Sequence, residues 1–389
     1  MNTRGARHQS LLKRLELSIR GRWNRRRYSH GSPQLVNTPT DILSQWPSGA
    51  GLRILLLRQD RIGDVLVATP VIREIRRHYP KATIDMVLST NNQSVRTAVA
   101  PYINTIHVLK KSVLSVWSLW WTLRRARYTA VVDLLDNAST TSGMLIEASA
   151  ADVRCGIDKD NRGVYSHVVP LLSQSTVPIN LRVAQLLLLF GINPESVDLR
   201  PEYPVTTAEL QQARQRLGLE RGLEHGQRTL GVVLSGSLAF KRYSIEKFAI
   251  ILNRLRSEKP WLRVYVFGGP AEQQDVQRLA AETGSYAVGP STFHQYAVDL
   301  RVMDVLLVPD TAAVHLAAAA GTHGTPCLVL YVPDVHGRLP WYPWRTPHEA
   351  VMSPTDHLND INPNTVVEAV HRLFAYCSLD PDTSTDTHS

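Results

Sequence analysis

The sequence predicts two doubly wound α/β domains in series, each a parallel sheet covered by helices on both faces. Three observations carry this. Short apolar runs alternate with helical patterns, a segment with two prolines (DLRPEYPV, 198–205) interrupts the alternation near mid-chain, and the alternation then restarts. A chain of 389 residues has room for two domains of ordinary size.

The elements follow in order. RILLLR (53–58) is a short, continuously apolar run of buried-strand type. Residues 65–79 read as a helix, with Val65, Leu66, Ala68, Val71, Ile72 and Ile75 on its apolar face. ATIDMVL (82–88), TIHVL (105–109) and AVVDLL (130–135) are further strands, with helical patterns at 92–99, 112–127 and 139–149 between them. After the linker, 208–217 is helical, TLGVVLS (229–235) a strand and 245–257 a helix. LRVYVFG (262–268) is a strand before a helix near 271–283; MDVLLVPD (303–310), TAAVHLAAAA (311–320) and PCLVLYV (326–332) read strand, helix, strand. A helix at 364–376 precedes the tail DPDTSTDTHS. The expected boundaries are an arm at 1–50, a first domain at 51–200, a second at 206–360, a closing helix at 361–377 that returns to the first domain, and a disordered tail at 378–389.

Composition excludes several classes. Cys155, Cys327 and Cys377 are far apart, which argues against a disulfide framework or a zinc site and fits a reducing compartment. No apolar run approaches the ~18 residues a membrane span needs, and the start lacks the pattern of a secretory signal. The net charge of +9 is concentrated at one end. Residues 1–29 hold Arg4, Arg7, Lys13, Arg14, Arg20, Arg22, Arg25, Arg26 and Arg27 against Glu16 alone. Leu11, Leu15, Ile19 and Trp23 recur every fourth residue there, so the arm reads either as a basic amphipathic helix on an anionic membrane surface or as a disordered basic arm. VWSLWWTLRR (116–125) has Trp117, Trp120 and Trp121 at helical spacing beside Arg124 and Arg125. It reads as a helix packed on the first sheet or as one facing lipid; the α/β alternation carries no RNA-binding module, so nucleic acid is not an expected partner.

In doubly wound folds ligands bind beyond the carboxyl ends of strands, and with two domains the natural site is the cleft between them. RQDRIGDVLVATP (58–70) places two arginines and two aspartates where a strand gives way to a helix. In the second half, SGSLAFKRYS (235–244) follows a strand with hydroxyls and cations, and Gly268 and Gly269 precede Glu272. Asp310 and Thr311 open a helix that carries His315 one turn on, and AGTHGTP (320–326) is a glycine loop. Singly these read as caps and turns.

In this order the motifs resemble the lipopolysaccharide heptosyltransferases, glycosyltransferase family 9. The likeness rests on Arg61-Ile62-Gly63-Asp64-Val65-Leu66-Val67-Ala68-Thr69-Pro70, on SGSLAFKRYS, on Gly268 to Glu272 and on Asp310-Thr311-Ala312-Ala313-Val314-His315-Leu316-Ala317-Ala318. It runs over roughly residues 52–375. The resemblance implies a GT-B-type fold, two Rossmann-like domains facing across a cleft, and an inverting transferase that uses no metal and no cofactor. The donor would be a nucleotide-diphosphate sugar, ADP-heptose foremost, and the acceptor an anionic lipid-linked oligosaccharide at the cytoplasmic face of the inner membrane. A nucleotide-sugar epimerase and a binding protein without transferase activity are the alternatives. Asp64 would be the base, since a helix start favours the anionic form of a carboxylate. Ser235, Ser237, Lys241, Glu272, Asp310, Thr311, Ala312 and His315 would hold the donor, and Arg58, Arg61 and Gly63 the acceptor. The chain departs from the family at Ala312, where glycine is usual, in the longer 321–326 loop, and at Tyr331-Val332-Pro333-Asp334.

Overall fold

Strand β2 (Arg53–Leu57) is buried on both faces in the computed structural model, as its unbroken apolar run requires. The structure describes residues 31–46, 51–110, 112–219, 226–236 and 238–379. The basic arm 1–29, Ser237 and the tail from 380 onward lie outside these. Among the described residues the chain divides into two units. The first comprises residues up to 173 and 179–199; the second comprises 174–178 and 200 onward.

The first unit holds β1 (Gln34–Leu35), β2, α1 (Ile62–His78), β3 (Thr83–Ser89), α2 (Arg96–Val99), β4 (Thr105–Leu109), α3 (Val113–Ala126), β5 (Ala130–Asp133), α4 (Thr140–Ser149), β6 (Val153–Ile157), β7 (His167–Val169) and α5 (Ile179–Ala184). Its sheet runs β1-β7-β6-β5-β2-β3-β4, every pair parallel. Counted from β2, the last six strands follow the doubly wound order 3-2-1-4-5-6, which reverses direction between β2 and β5. Helix α1 begins three residues earlier than the apolar pattern indicates. Asp64 caps it from inside the first turn, its Oδ2 accepting from the Arg61 backbone N–H at 3.2 Å. Arg76, Arg77 and His78 close the other end, where the helix dipole favours cations.

The second unit holds α6 (Thr207–Arg216), β8 (Arg228–Val233), α7 (Ile245–Glu258), β9 (Leu262–Phe267), α8 (Gln273–Thr283), β10 (Tyr286–Ala287), α9 (Phe293–Arg301), β11 (Val305–Pro309), α10 (Ala312–Ala318), β12 (Cys327–Tyr331), β13 (His348–Met352) and α11 (Pro363–Tyr376). Its parallel sheet, β10-β9-β8-β11-β12-β13, repeats the order 3-2-1-4-5-6 and reverses between β8 and β11. The core joins β8, β9, β11 and β12 to Phe248, Ile251, Leu252 and Leu255 of α7. The closing helix α11 belongs to this unit. Val366, Val370, Leu373 and Phe374 form an apolar stripe buried in that same core.

Candidate functional site

In the first unit the charged stretch after β2 sits at the point where the sheet reverses. Arg58 is fully buried. Its Nε donates to the Asp64 carbonyl at 3.0 Å, its Nη1 to the Leu134 carbonyl beyond β5 at 2.6 Å, and its Nη2 to Asp64 Oδ1 at 3.3 Å. One guanidinium thus joins the ends of β2 and β5 and orients Asp64. Burial opposes its charge, but Asp60, Asp64, Asp136 and Asp133 outweigh burial and raise its pKa. Arg58 was expected among the acceptor contacts; the structure places its guanidinium in the interior, where all three of its nitrogens donate within the fold. Arg61, at the N-cap of α1, is exposed, and Gly63 lies in the first turn.

Asp60 is the residue the sequence reading passed over. Its Oδ1 is buried 3.6 Å from Arg58 Nε, while the side chain as a whole stays 26% exposed. Burial pushes its carboxyl up to about 7; Arg58 opposes the rise and Asp64 adds to it. Beside this pair lies a second buried network. Asp133 at the end of β5 accepts from Lys159 Nζ at 3.0 Å and from the Tyr165 hydroxyl at 2.7 Å. Asp136 accepts from Arg182 Nη2 at 2.9 Å and Nε at 3.2 Å. The signal for it was the aspartate inside the apolar run AVVDLL, because a charge in a buried strand needs a partner.

In the second unit the loop after β8 reaches the ends of both β9 and β11. Ser235 Oγ accepts from the Gly269 N–H at 3.0 Å and lies 3.5 Å from Glu272 Oε2. Arg242 Nη2 is 3.7 Å from Glu272 Oε1. Lys241 forms an ion pair with Asp310, directly across the reversal between β8 and β11. Gly236 is required here: a Cβ on it would stand 2.5 Å from the Lys241 carbonyl oxygen.

Thr311 is the N-cap of α10, its Oγ1 accepting from the Ala313 N–H at 3.4 Å. Ala312 takes up helical backbone, so the methyl that replaces the family's glycine introduces no backbone strain. His315 is buried, its ring 5.9 Å from that of Trp341. The lengthened loop folds back on α10. Gly321 and Gly324 adopt left-handed φ of 60° and 75°, and the Thr325 N–H donates to the Ala317 carbonyl at 2.8 Å. Asp334 is fixed by Arg338, whose hydrogen bonds hold its carboxyl at about 2. The structure therefore brings Ser235 together with Glu272, and Lys241 with Asp310, and sets Thr311, Ala312 and His315 along the helix that follows.

The family profile of glycosyltransferase family 9 (heptosyltransferase) matches residues 116–371. Lipopolysaccharide heptosyltransferase 3 of Escherichia coli is 23% identical over 304 residues, covering 72% of this chain and 83% of that protein. The lipopolysaccharide core heptosyltransferase OpsX of Haemophilus influenzae is 20% identical over 284 residues, covering 72% of this chain and 78% of that one. Among solved structures, a family 9 glycosyl transferase from Veillonella parvula superposes with a TM-score of 0.67 at 18% identity, over 85% of this chain and 99% of its own. E. coli heptosyltransferase WaaC with ADP superposes with a TM-score of 0.61 at 17% identity, over 84% and 98%. These likenesses establish the fold as that of the heptosyltransferases, two Rossmann-like parallel-sheet domains of GT-B type.

Proposed function

Since the chain belongs to glycosyltransferase family 9, the heptosyltransferases, and is a glycosyltransferase, we propose that it moves a heptose-like sugar from a nucleotide-diphosphate sugar, ADP-heptose foremost, to a lipopolysaccharide core or related envelope glycan. The transfer inverts the anomeric carbon and uses no bound metal. The observation that carries this reading is the Lys241–Asp310 ion pair at the strand reversal of the second sheet. A lysine held there by one carboxylate can turn to the phosphates of a bound nucleotide.

In the proposed reaction Asp64 takes the proton of the acceptor hydroxyl as its oxygen bonds to the anomeric carbon. The bond from that carbon to the diphosphate breaks on the opposite face, which inverts the centre. Negative charge grows on the leaving nucleoside diphosphate, and Lys241 meets it, assisted by Thr311, Ser235, Ser237 and His315. Glu272 accepts hydrogen bonds from the ribose. Arg61 contacts an anionic acceptor, while Arg58 holds Asp64 in place. The lipid-linked acceptor and the basic arm 1–29 together place the enzyme at the cytoplasmic face of the inner membrane. Among the described residues no helix is long and apolar enough to cross a membrane.

The test combines a panel of nucleotide sugars with a deacylated core acceptor and follows nucleoside diphosphate release and product by NMR. Asp64→Ala is expected to lose at least ~100-fold in turnover while ADP still raises the melting temperature. Lys241→Gln loses both. Chelator leaves the rate unchanged, and the product anomer is opposite to the donor's. Full turnover by Asp64→Ala removes the base assignment, and a melting temperature that no nucleotide shifts removes the donor reading.

A further inference from the structure

Helix α3 turns two apolar faces in opposite directions, and the fold uses only one. Leu119 and Leu123 are buried in the core of the first unit. On the other side Val113, Leu114, Trp117 and Trp121 are 84%, 81%, 63% and 39% exposed. With 3.6 residues per turn, these four and Arg124 and Arg125 fall within about 120° of one another around the helix. The Arg124 guanidinium lies over the Trp120 ring at 5.3 Å and that of Arg125 over the Trp121 ring at 5.7 Å, so both cations sit beside the aromatic surface. The surrounding chain has one sign of charge. Residues 86–132 contain no Asp or Glu, but they carry Arg96, Lys110, Lys111, Arg124, Arg125 and Arg127. On α4, the helix packed against α3, the single carboxylate is Glu147. A shallow groove of about 530 Å³ runs between β4 and α3 beside this stripe, with Lys110, His107 and Leu114 on its walls.

We infer that α3 is a docking surface for an anionic lipid bilayer, lying in the interface plane with Leu114, Trp117 and Trp121 among the acyl chains and Arg124 and Arg125 at the headgroup phosphates. The occupant follows from the chemistry. Aliphatic and indole side chains projecting together gain nothing from water, and tryptophan settles where one side is apolar and the other wet. The cations around them, with no acid in the same stretch, match a negatively charged leaflet. At 14 residues the helix is about 21 Å long and too short to span, so it lies flat. The surface stands on these residues alone and is independent of the acceptor proposed above.

The experiment uses the full chain, so the basic arm is present throughout. Wild type, a Leu114→Ser/Trp117→Ser/Trp121→Ser variant and an Arg124→Gln/Arg125→Gln variant are floated with phosphatidylethanolamine–phosphatidylglycerol vesicles and with phosphatidylcholine vesicles. Quenching of tryptophan by brominated acyl chains is read on the same samples. Wild type is expected to prefer the anionic vesicles by at least ~10-fold and to be quenched. The triple variant loses the quenching and binds ~10-fold less or weaker, and the arginine variant binds ~10-fold less with a shallower salt dependence. The arginine pair keeps the test alive when the triple variant melts early. Vesicle binding and quenching unchanged in both variants overturn the inference. So does a fall in solution mass of the triple variant with vesicle binding intact, which would make the stripe a self-association face. Donor binding, read from the melting temperature with ADP, reports separately on the function proposed above.

Discussion

Replacing Asp60 with asparagine removes a carboxyl that the fold keeps from ionising easily. In the folded chain this group titrates near 7 rather than at its ordinary 3.8, chiefly through burial. The folded state therefore holds the proton more tightly than the unfolded chain does. Stability from this group is complete below pH ~3.8 and is lost as pH rises through about 7. Between pH 5 and 8 the loss spans about two pH units, or ~3 kcal/mol at ~1.4 kcal/mol each. With the side chain 26% exposed, solvent screening reduces this to about 2 kcal/mol. The asparagine variant lacks that slope. Urea unfolding of both proteins at pH 5 and pH 8 isolates it, because every other titrating group is common to the two. The variant is expected to gain about 2 kcal/mol on wild type in going from pH 5 to pH 8. A difference between the two proteins that is the same at both pH values would refute the reasoning, and with it the tension between Asp60 and Asp64 over one guanidinium.

Lys159→Met leaves Asp133 in a fully buried position without its cation, which is expected to destabilise the first unit by ~3–5 kcal/mol in urea unfolding; adding Asp133→Asn recovers most of it. Gly236→Ala drives a methyl against the Lys241 carbonyl, displacing the turn that aims Lys241. Calorimetry should show a cost of ~1–3 kcal/mol, together with a ~10-fold or greater loss in nucleotide affinity.

The motifs that lie close in sequence were legible because their chemistry is local. β2 reads as a buried strand from RILLL alone, and Asp64 reads as a helix-start carboxylate from its place after it. In the second half, Ser235, Lys241, Glu272, Asp310 and Thr311 each follow an apolar run, and their positions at strand ends follow from that. Several short strands were not legible. β7 has three residues, β10 has two, and β6 (VRCGI) carries a glycine; such segments become strands only because a neighbouring strand supplies their hydrogen bonds.

The sequence by itself determined two doubly wound halves and the strand-end residues of each, since burial and turn chemistry are written in short windows. Tertiary structure decided how those residues are used. Strand order 3-2-1-4-5-6 carries Leu134, Asp136 and Lys159, roughly 75 to 100 residues downstream of Arg58, to the end of β2. Arg58 is thereby buried as the support of Asp64. α3, whose aromatic pattern could serve either a core or a surface, is divided between the two: the first unit's core buries Leu119 and Leu123, with Trp120 and Ala126 packed against it, and leaves Trp117 and Trp121 facing outward. A linear chain specifies which side chains must leave water, but only the packed sheet fixes which charges meet there and which apolar faces are left uncovered.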